Sequence, residues 1–112
     1  MKQLPNIARI IRVEPFNITM LWNTFEVRVL DFVPLFEVWE AEGDTKMAVL
    51  RDWKIFQEVT LSENHTLCWP NVLFSFTFKA ATRSEPLELD ALELYRQSKL
   101  IKKLEKIHIG EM

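Results

Sequence analysis

His65 and Cys68 form an H-x-x-C pair, the one place in this 112-residue chain where a thiol and an imidazole lie close in sequence. Imidazole and thiolate are zinc ligands, but a structural zinc site takes four, and the other histidine, His108, lies far along the chain. As a nucleophile, Cys68 would need the imidazole to lower its thiol pKa and a third group to orient the ring. The spacing supplies neither. The pair therefore reads as a stray histidine beside a buried strand cysteine. Cys68 is the single cysteine, so no intrachain disulfide can form, which points to a reducing, cytoplasmic compartment. No catalytic residue, cofactor or metal site is expected.

Carboxylates offer a second chemistry. Residues 31–65 hold eight acidic and three basic residues, and Glu37, Glu40, Glu42 and Asp44 cluster around an expected loop. Such groups can serve general acid–base work or a hard cation, yet a solvated loop accounts for them as well. The later run Arg96, Lys99, Lys102, Lys103 and Lys106 has the composition of a phosphate-binding face. It equally suits the negative end of a helix dipole, and a net charge of -2 makes nucleic acid a disfavoured partner. The charge contrast between the two regions permits pairing with a partner, or head-to-tail pairing between copies. Trp22, Trp39, Trp53 and Trp69 could stack on bases or sugars, but most fall where a strand points inward. Two glycines, Gly43 and Gly110, are too few and too far apart for a phosphate-cradling loop. Asn17-Ile18-Thr19 and Asn64-His65-Thr66 match the glycosylation sequon, which without a secretory segment is coincidence. No apolar run approaches the roughly 20 residues of a membrane span.

The elements that must position these groups are mostly strands. Phe16, Ile18, Met20 and Trp22 alternate with Asn17, Thr19, Leu21 and Asn23, and Phe25, Val27 and Val29 alternate with Glu26 and Arg28. A tight turn at Asn23-Thr24 would set Trp22 opposite Phe25, Met20 opposite Val27 and Ile18 opposite Val29. Ile7 to Val13 reads as a preceding strand. Pro34 breaks the next run, Leu35 to Ala41 suits a short helix, and Asp52 can cap a helical turn over Trp53 to Phe56. Val59 with Leu61, then Leu67 with Trp69, then Val72, Phe74, Phe76 and Phe78 predict further strands. The last two are joined or separated at Pro70. Ala80 to Pro86 reads as a turn region, and residues 89–107 as a C-terminal helix with the apolar stripe Leu100, Ile101, Leu104 and Ile107. Together these predict a single α+β domain over residues 1–112, with its core at about 7–98. Its antiparallel sheet would have five to six strands.

Several short motifs in this order resemble one family. Asn23 to Glu26 followed by Asp31, Pro34-Leu35, Leu50-Arg51-Asp52 with Phe56, Trp69-Pro70-Asn71, and Leu89-Asp90 with Leu94-Tyr95 and Ser98 are similar to the domain-of-unknown-function family numbered 2442. The resemblance covers about residues 7–98. It implies a small α+β domain of bacterial origin and no established activity, so no catalytic residue follows from it. It also implies neighbours for which toxin–antitoxin-like pairing has been suggested, and some members carry a helix-turn-helix domain that is missing here. Thr24 and Val72 stand where the family has glycine.

The expectation for function is a small non-enzymatic interaction module that presents a sheet edge or its C-terminal helix to a protein partner. The partner would be another small protein, in antitoxin-like fashion, or a second copy in a homodimer. Leu100, Ile101, Leu104 and Ile107 are the candidate contact stripe. One alternative is a small-molecule-binding or enzyme-accessory domain with an aromatic pocket near Trp69, Pro70 and Asn71. The other is a DNA-linked regulator that uses the basic face.

Overall fold

The hairpin that dominates the sequence pattern is present, one residue out of the expected register. The computed structural model describes residues 4–78 and 81–105. In it strand β1 (Ile7–Glu14) pairs with β2 (Asn17–Trp22), and β2 with β3 (Glu26–Asp31). Ile18 lies opposite Leu30 and Met20 opposite Arg28, not Val27. The cause is Phe25, whose φ of 68° is left-handed and whose N–H donates to the Trp22 carbonyl at 2.9 Å. The loop thereby gains a residue, as in three-residue hairpin connections that end in a left-handed position. A one-residue slip exchanges the faces of a strand. Leu30, Arg28 and Glu26 therefore share the inner side with Ile18, Met20 and Trp22, while Val27 and Val29 point outward.

Asp31 ends β3 and caps helix α1 (Phe32–Ala41), its carboxylate accepting the Val33 N–H at 3.0 Å. Pro34 therefore does not break the run. It lies in the first helical turn, where no intrahelical acceptor awaits its missing N–H. A 3₁₀ segment (Thr45–Arg51) leads to α2 (Trp53–Phe56), capped as expected by Asp52 through the Lys54 N–H at 3.0 Å. Strand β4 is only Thr60–Leu61, and β5 runs from Leu67 to Phe78 as one strand whose register shifts between Trp69 and Leu73, around Pro70. Residues 81–86, read from sequence as part of a turn, belong to β6 (Ala81–Glu88), which pairs along β5. Their turn-like composition yields to the unsatisfied edge that a long β5 offers. At about 3.3 Å per residue the strand spans roughly 40 Å.

The expected C-terminal helix over 89–107 is not formed. Helix α3 covers Ala91–Gln97, capped by Asp90, and Lys99–Lys103 is a strand, β7, paired with β3. Lys106 and Ile107 lie outside the described residues. The fold is α+β, with its strands divided between two antiparallel sheets, β1-β2-β3-β7 and β4-β5-β6. Between sheets and helices lies a core in which Phe32 meets Phe56 and Trp69 edge-on, at 5.0 and 6.1 Å between ring centroids. Trp69 is fully buried and donates its Nε1–H to the Phe56 carbonyl at 2.9 Å. It fills the core and is absent from the lining of the clefts described below.

A left-handed φ costs a non-glycine residue about 1–2 kcal/mol, and the Phe25 ring is partly exposed. Phe25→Gly is therefore expected to stabilise the fold by about 0.5–1 kcal/mol, read as a rise in the urea midpoint at unchanged slope.

Candidate interaction surface

The register places two charged residues, Glu26 and Arg28, on the inner side of the sheet, where α3 covers them. Arg28 donates from Nε to the Ser98 hydroxyl at 2.7 Å and from Nη2 to the Ser98 carbonyl at 3.0 Å. Its guanidinium stacks on the Tyr95 ring at 4.3 Å and lies 3.4 Å from the Glu26 carboxylate. Tyr95 donates to that carboxylate at 2.6 Å, and Thr24 donates to it at 2.8 Å. Burial alone would raise the Glu26 pKa. The hydrogen bonds from Tyr95 and Thr24 and the charges of Arg28 and Lys103 outweigh it and hold the carboxyl below its usual range. The Tyr95 hydroxyl is pushed up, first by its bond to Glu26 and then by burial. Beside it Trp22 is fully buried, its ring edge-on to Tyr95 at 5.2 Å, and its Nε1–H has no acceptor among the described residues. Each polar member of this cluster bonds another member. Its work is to fasten α3 and to direct the chain into β7.

β7 completes the sheet and with it an outer face. The apolar inner side chains of β1, β2 and β3 pack in the main core cluster; on the other side Thr19, Leu21 and Val29 are half-buried and Val27 is buried outside that cluster. Pairing sets Arg9, Leu21, Val27 and Lys102 in one row across the four strands. Arg12, Thr19, Val29 and Lys99 make the next. Each row carries a cation at either end and uncharged residues between. With strands about 4.8 Å apart, the cations of a row stand roughly 14 Å from each other, and the rows are about 7 Å apart. The third row, Glu14, Asn17 and Asp31, reverses the sign.

The expected basic set is thus divided. Lys99 and Lys102 are on the outer face, Lys103 is opposite Glu26, and Arg96 is on α3. Arg9 and Arg12 complete the surface and were missed from sequence, because register shifts in β1 between Ile7 and Arg9 and between Ile10 and Arg12 upset the simple alternation. Leu100 and Ile101 are exposed on β7, while Leu104 is half-buried and donates its N–H to the Phe25 carbonyl at 2.8 Å. Both outer strands of this sheet are irregular, β7 where it passes Val27 and Arg28 and β1 at its two shifts. Lysines and bulges are means by which sheets discourage strand addition. The face, with its exposed cations, is therefore a better candidate for a contact than the edge.

The other candidates resolve into structure. Cys68 is buried in β5 opposite Thr60, and burial, with Glu88 nearby, pushes its thiol up, away from the reactive thiolate. His65 is exposed at a turn with φ of 60°. Among the described residues no group of three or more His, Cys, Asp or Glu is arranged to hold a metal. The motif positions are caps and packing: Asp31, Asp52 and Asp90 cap helices, Trp69 fills the core, and Tyr95 belongs to the buried cluster. Pro70 and Asn71 are exposed, with Asn71 donating to Glu58 at 3.4 Å. Trp39 is half-buried and borders two clefts of about 190 and 350 Å³. The smaller, beside Phe36, Met47 and Arg51, is below the roughly 300 Å³ at which ligand pockets begin. The larger is an apolar-walled groove between α1 and α3. No described helix is long and apolar enough to cross a membrane. No family model, curated protein or solved structure matches the chain.

Tyr95→Phe removes a hydrogen bond to a carboxylate and is expected to cost about 1.5 kcal/mol in urea denaturation. A lowered Glu26 pKa adds stability above the ordinary glutamate value, and that contribution drains as pH falls below about 4.3. Glu26→Gln should flatten the acid limb of a stability–pH profile between about pH 5 and pH 3. The raised Tyr95 pKa adds stability below about pH 10, lost as pH climbs beyond it, so Tyr95→Phe should flatten the alkaline limb.

Proposed function

We propose that this chain is a small non-enzymatic interaction module that docks a protein partner on the outer face of its four-stranded sheet. One observation carries the reading: a sheet face outside the main core cluster, with exposed cations at the ends of two adjacent rows and, between them, half-buried Thr19, Leu21 and Val29 around a buried Val27. An apolar centre rimmed by charge is the anatomy of a protein-docking patch, in which the centre supplies affinity and the rim supplies orientation. Kinship with the domain-of-unknown-function family numbered 2442, antitoxin-like pairing with a small partner, and a bacterial, cytoplasmic setting belong to the same proposal. Nucleic acid is the weaker reading. The centre of the face offers no aromatic platform for bases, and the third row sets Glu14 and Asp31 where a phosphate backbone would continue.

The test is affinity capture from the native organism with the wild-type chain and with the Arg9→Glu/Lys102→Glu variant side by side. A protein recovered in near-stoichiometric amount by the wild type and lost with the variant is the expected result. Recovery of the same proteins by both would overturn the reading. Capture of nucleic acid alone would move it to the weaker one.

A further inference from the structure

We propose that the occupant of the basic sheet face is helix α1 of a second copy, in a head-to-tail contact. This names the partner of the surface above and rests on that surface being a docking face. Both halves of the contact are on the molecule. Helix α1 buries Phe32, Leu35 and Phe36 and turns outward Val33 and Val38, which are 47% and 50% exposed, together with Glu37, the C-cap Glu42, and Glu40, whose carboxylate lies 3.3 Å from Arg51. It carries no basic residue. With Glu40 answered by Arg51, Glu37 and Glu42 leave its outer side apolar and acidic, the complement of a sheet face that is apolar and basic.

The dimensions agree. Ten residues of helix are about 15 Å long, and the three rows of the face span roughly 14 Å along the strands. A helix with side chains is about 10–12 Å across, so it fits between cations roughly 14 Å apart, leaving its acidic flanks toward them. Polarity agrees as well. Glu37 and Glu40 occupy the second half of α1 and Glu42 its C-cap, over the Arg9–Lys102 and Arg12–Lys99 rows. The positive N-terminal end of the helix then meets the acidic row of Glu14 and Asp31.

Other occupants fit less well. Two basic faces set against each other would oppose Arg9, Arg12, Lys99 and Lys102 to their own copies, which excludes a two-fold symmetric pairing of this face. Strand addition at β7 or β1 meets an irregular edge on either side. A head-to-tail contact joins different patches, so it propagates into a ring or a chain unless one patch is removed.

That property supplies the experiment. Sedimentation velocity is run from about 1 µM to about 1 mM, at about 50 mM and about 500 mM salt. The wild type is compared with a face variant, Arg9→Glu/Lys102→Glu, and a helix variant, Glu37→Lys/Glu42→Lys. The wild type should associate with rising concentration at low salt and dissociate at high salt. Each variant alone should remain a monomer of 13.3 kDa. Because the face variant keeps its helix and the helix variant keeps its face, an equimolar mixture should associate where neither variant does so alone. Its affinity should match the wild-type contact and fall at least about tenfold when either retained patch is also reversed. Circular dichroism confirms that the variants fold; if one does not, its charge-neutral form with Gln replaces it. A wild type that stays monomeric at about 1 mM, variants that associate like the wild type, or a mixture that stays monomeric would each overturn the inference. If the wild type is monomeric yet loses a captured partner through the face variant, the docking reading stands and only the identity of the occupant falls.

Discussion

Arg28 sits on the inner side of a sheet whose other strands bury Ile7, Ile18, Met20, Trp22 and Leu30 there, and a cation in that position has to be answered on every side. Glu26 supplies the opposite charge, Tyr95 the π face, and Ser98 both a hydroxyl and a carbonyl acceptor. The last of these is decisive for the topology. Ser98 takes the Arg28 Nε–H, gives its own hydroxyl proton to the Tyr95 carbonyl, and ends α3. The chain leaves the helix already lying along β3, and β7 is the consequence. Without that partner set Arg28 would be a poorly solvated charge, costing more than the ion pair returns. The buried cluster and the outer face are therefore two sides of one strand arrangement, since the register that turns Arg28 inward also turns Val27 and Val29 outward.

Much of this was legible in the sequence wherever a local signal acts alone. Alternation located the hairpin and the strand from Val72 to Phe78, and the capping carboxylate of Asp52 located a helical turn. What escaped depends on contacts far along the chain. The register turned on Phe25 accepting a left-handed conformation that residue type argues against. Lys99-Leu100-Ile101-Lys102-Lys103 fits a helical stripe or an edge strand equally well, and the choice was made by residues some 70 positions earlier, through Arg28 and Ser98. Ala81 to Glu88 contains the turn-forming Ser84 and Pro86, but the length of β5 demanded a partner strand. The surface residues Arg9 and Arg12 were hidden for a related reason, since the register shifts of β1 cannot be counted from alternation.

The same reasoning separates positions that define this fold from positions free to define its contacts. Asp31, Asp52, Asp90, Trp69 and Tyr95 each meet a backbone group, a packing demand or a buried charge, so their residue types are dictated by the interior. Thr19, Leu21, Val29 and the cations around them meet no such demand, being outside the core cluster. A solvent-facing antiparallel sheet needs only polar or indifferent residues on its wet side. Here that side instead carries an apolar centre and charges that change sign along the strands. Stability of the chain by itself gives no reason for such an order, whereas orienting a second surface does, because sign alternation fixes which way round a charged helix can lie. The irregular edges agree with that division of labour: strand addition is discouraged on both flanks, and association is left to the face.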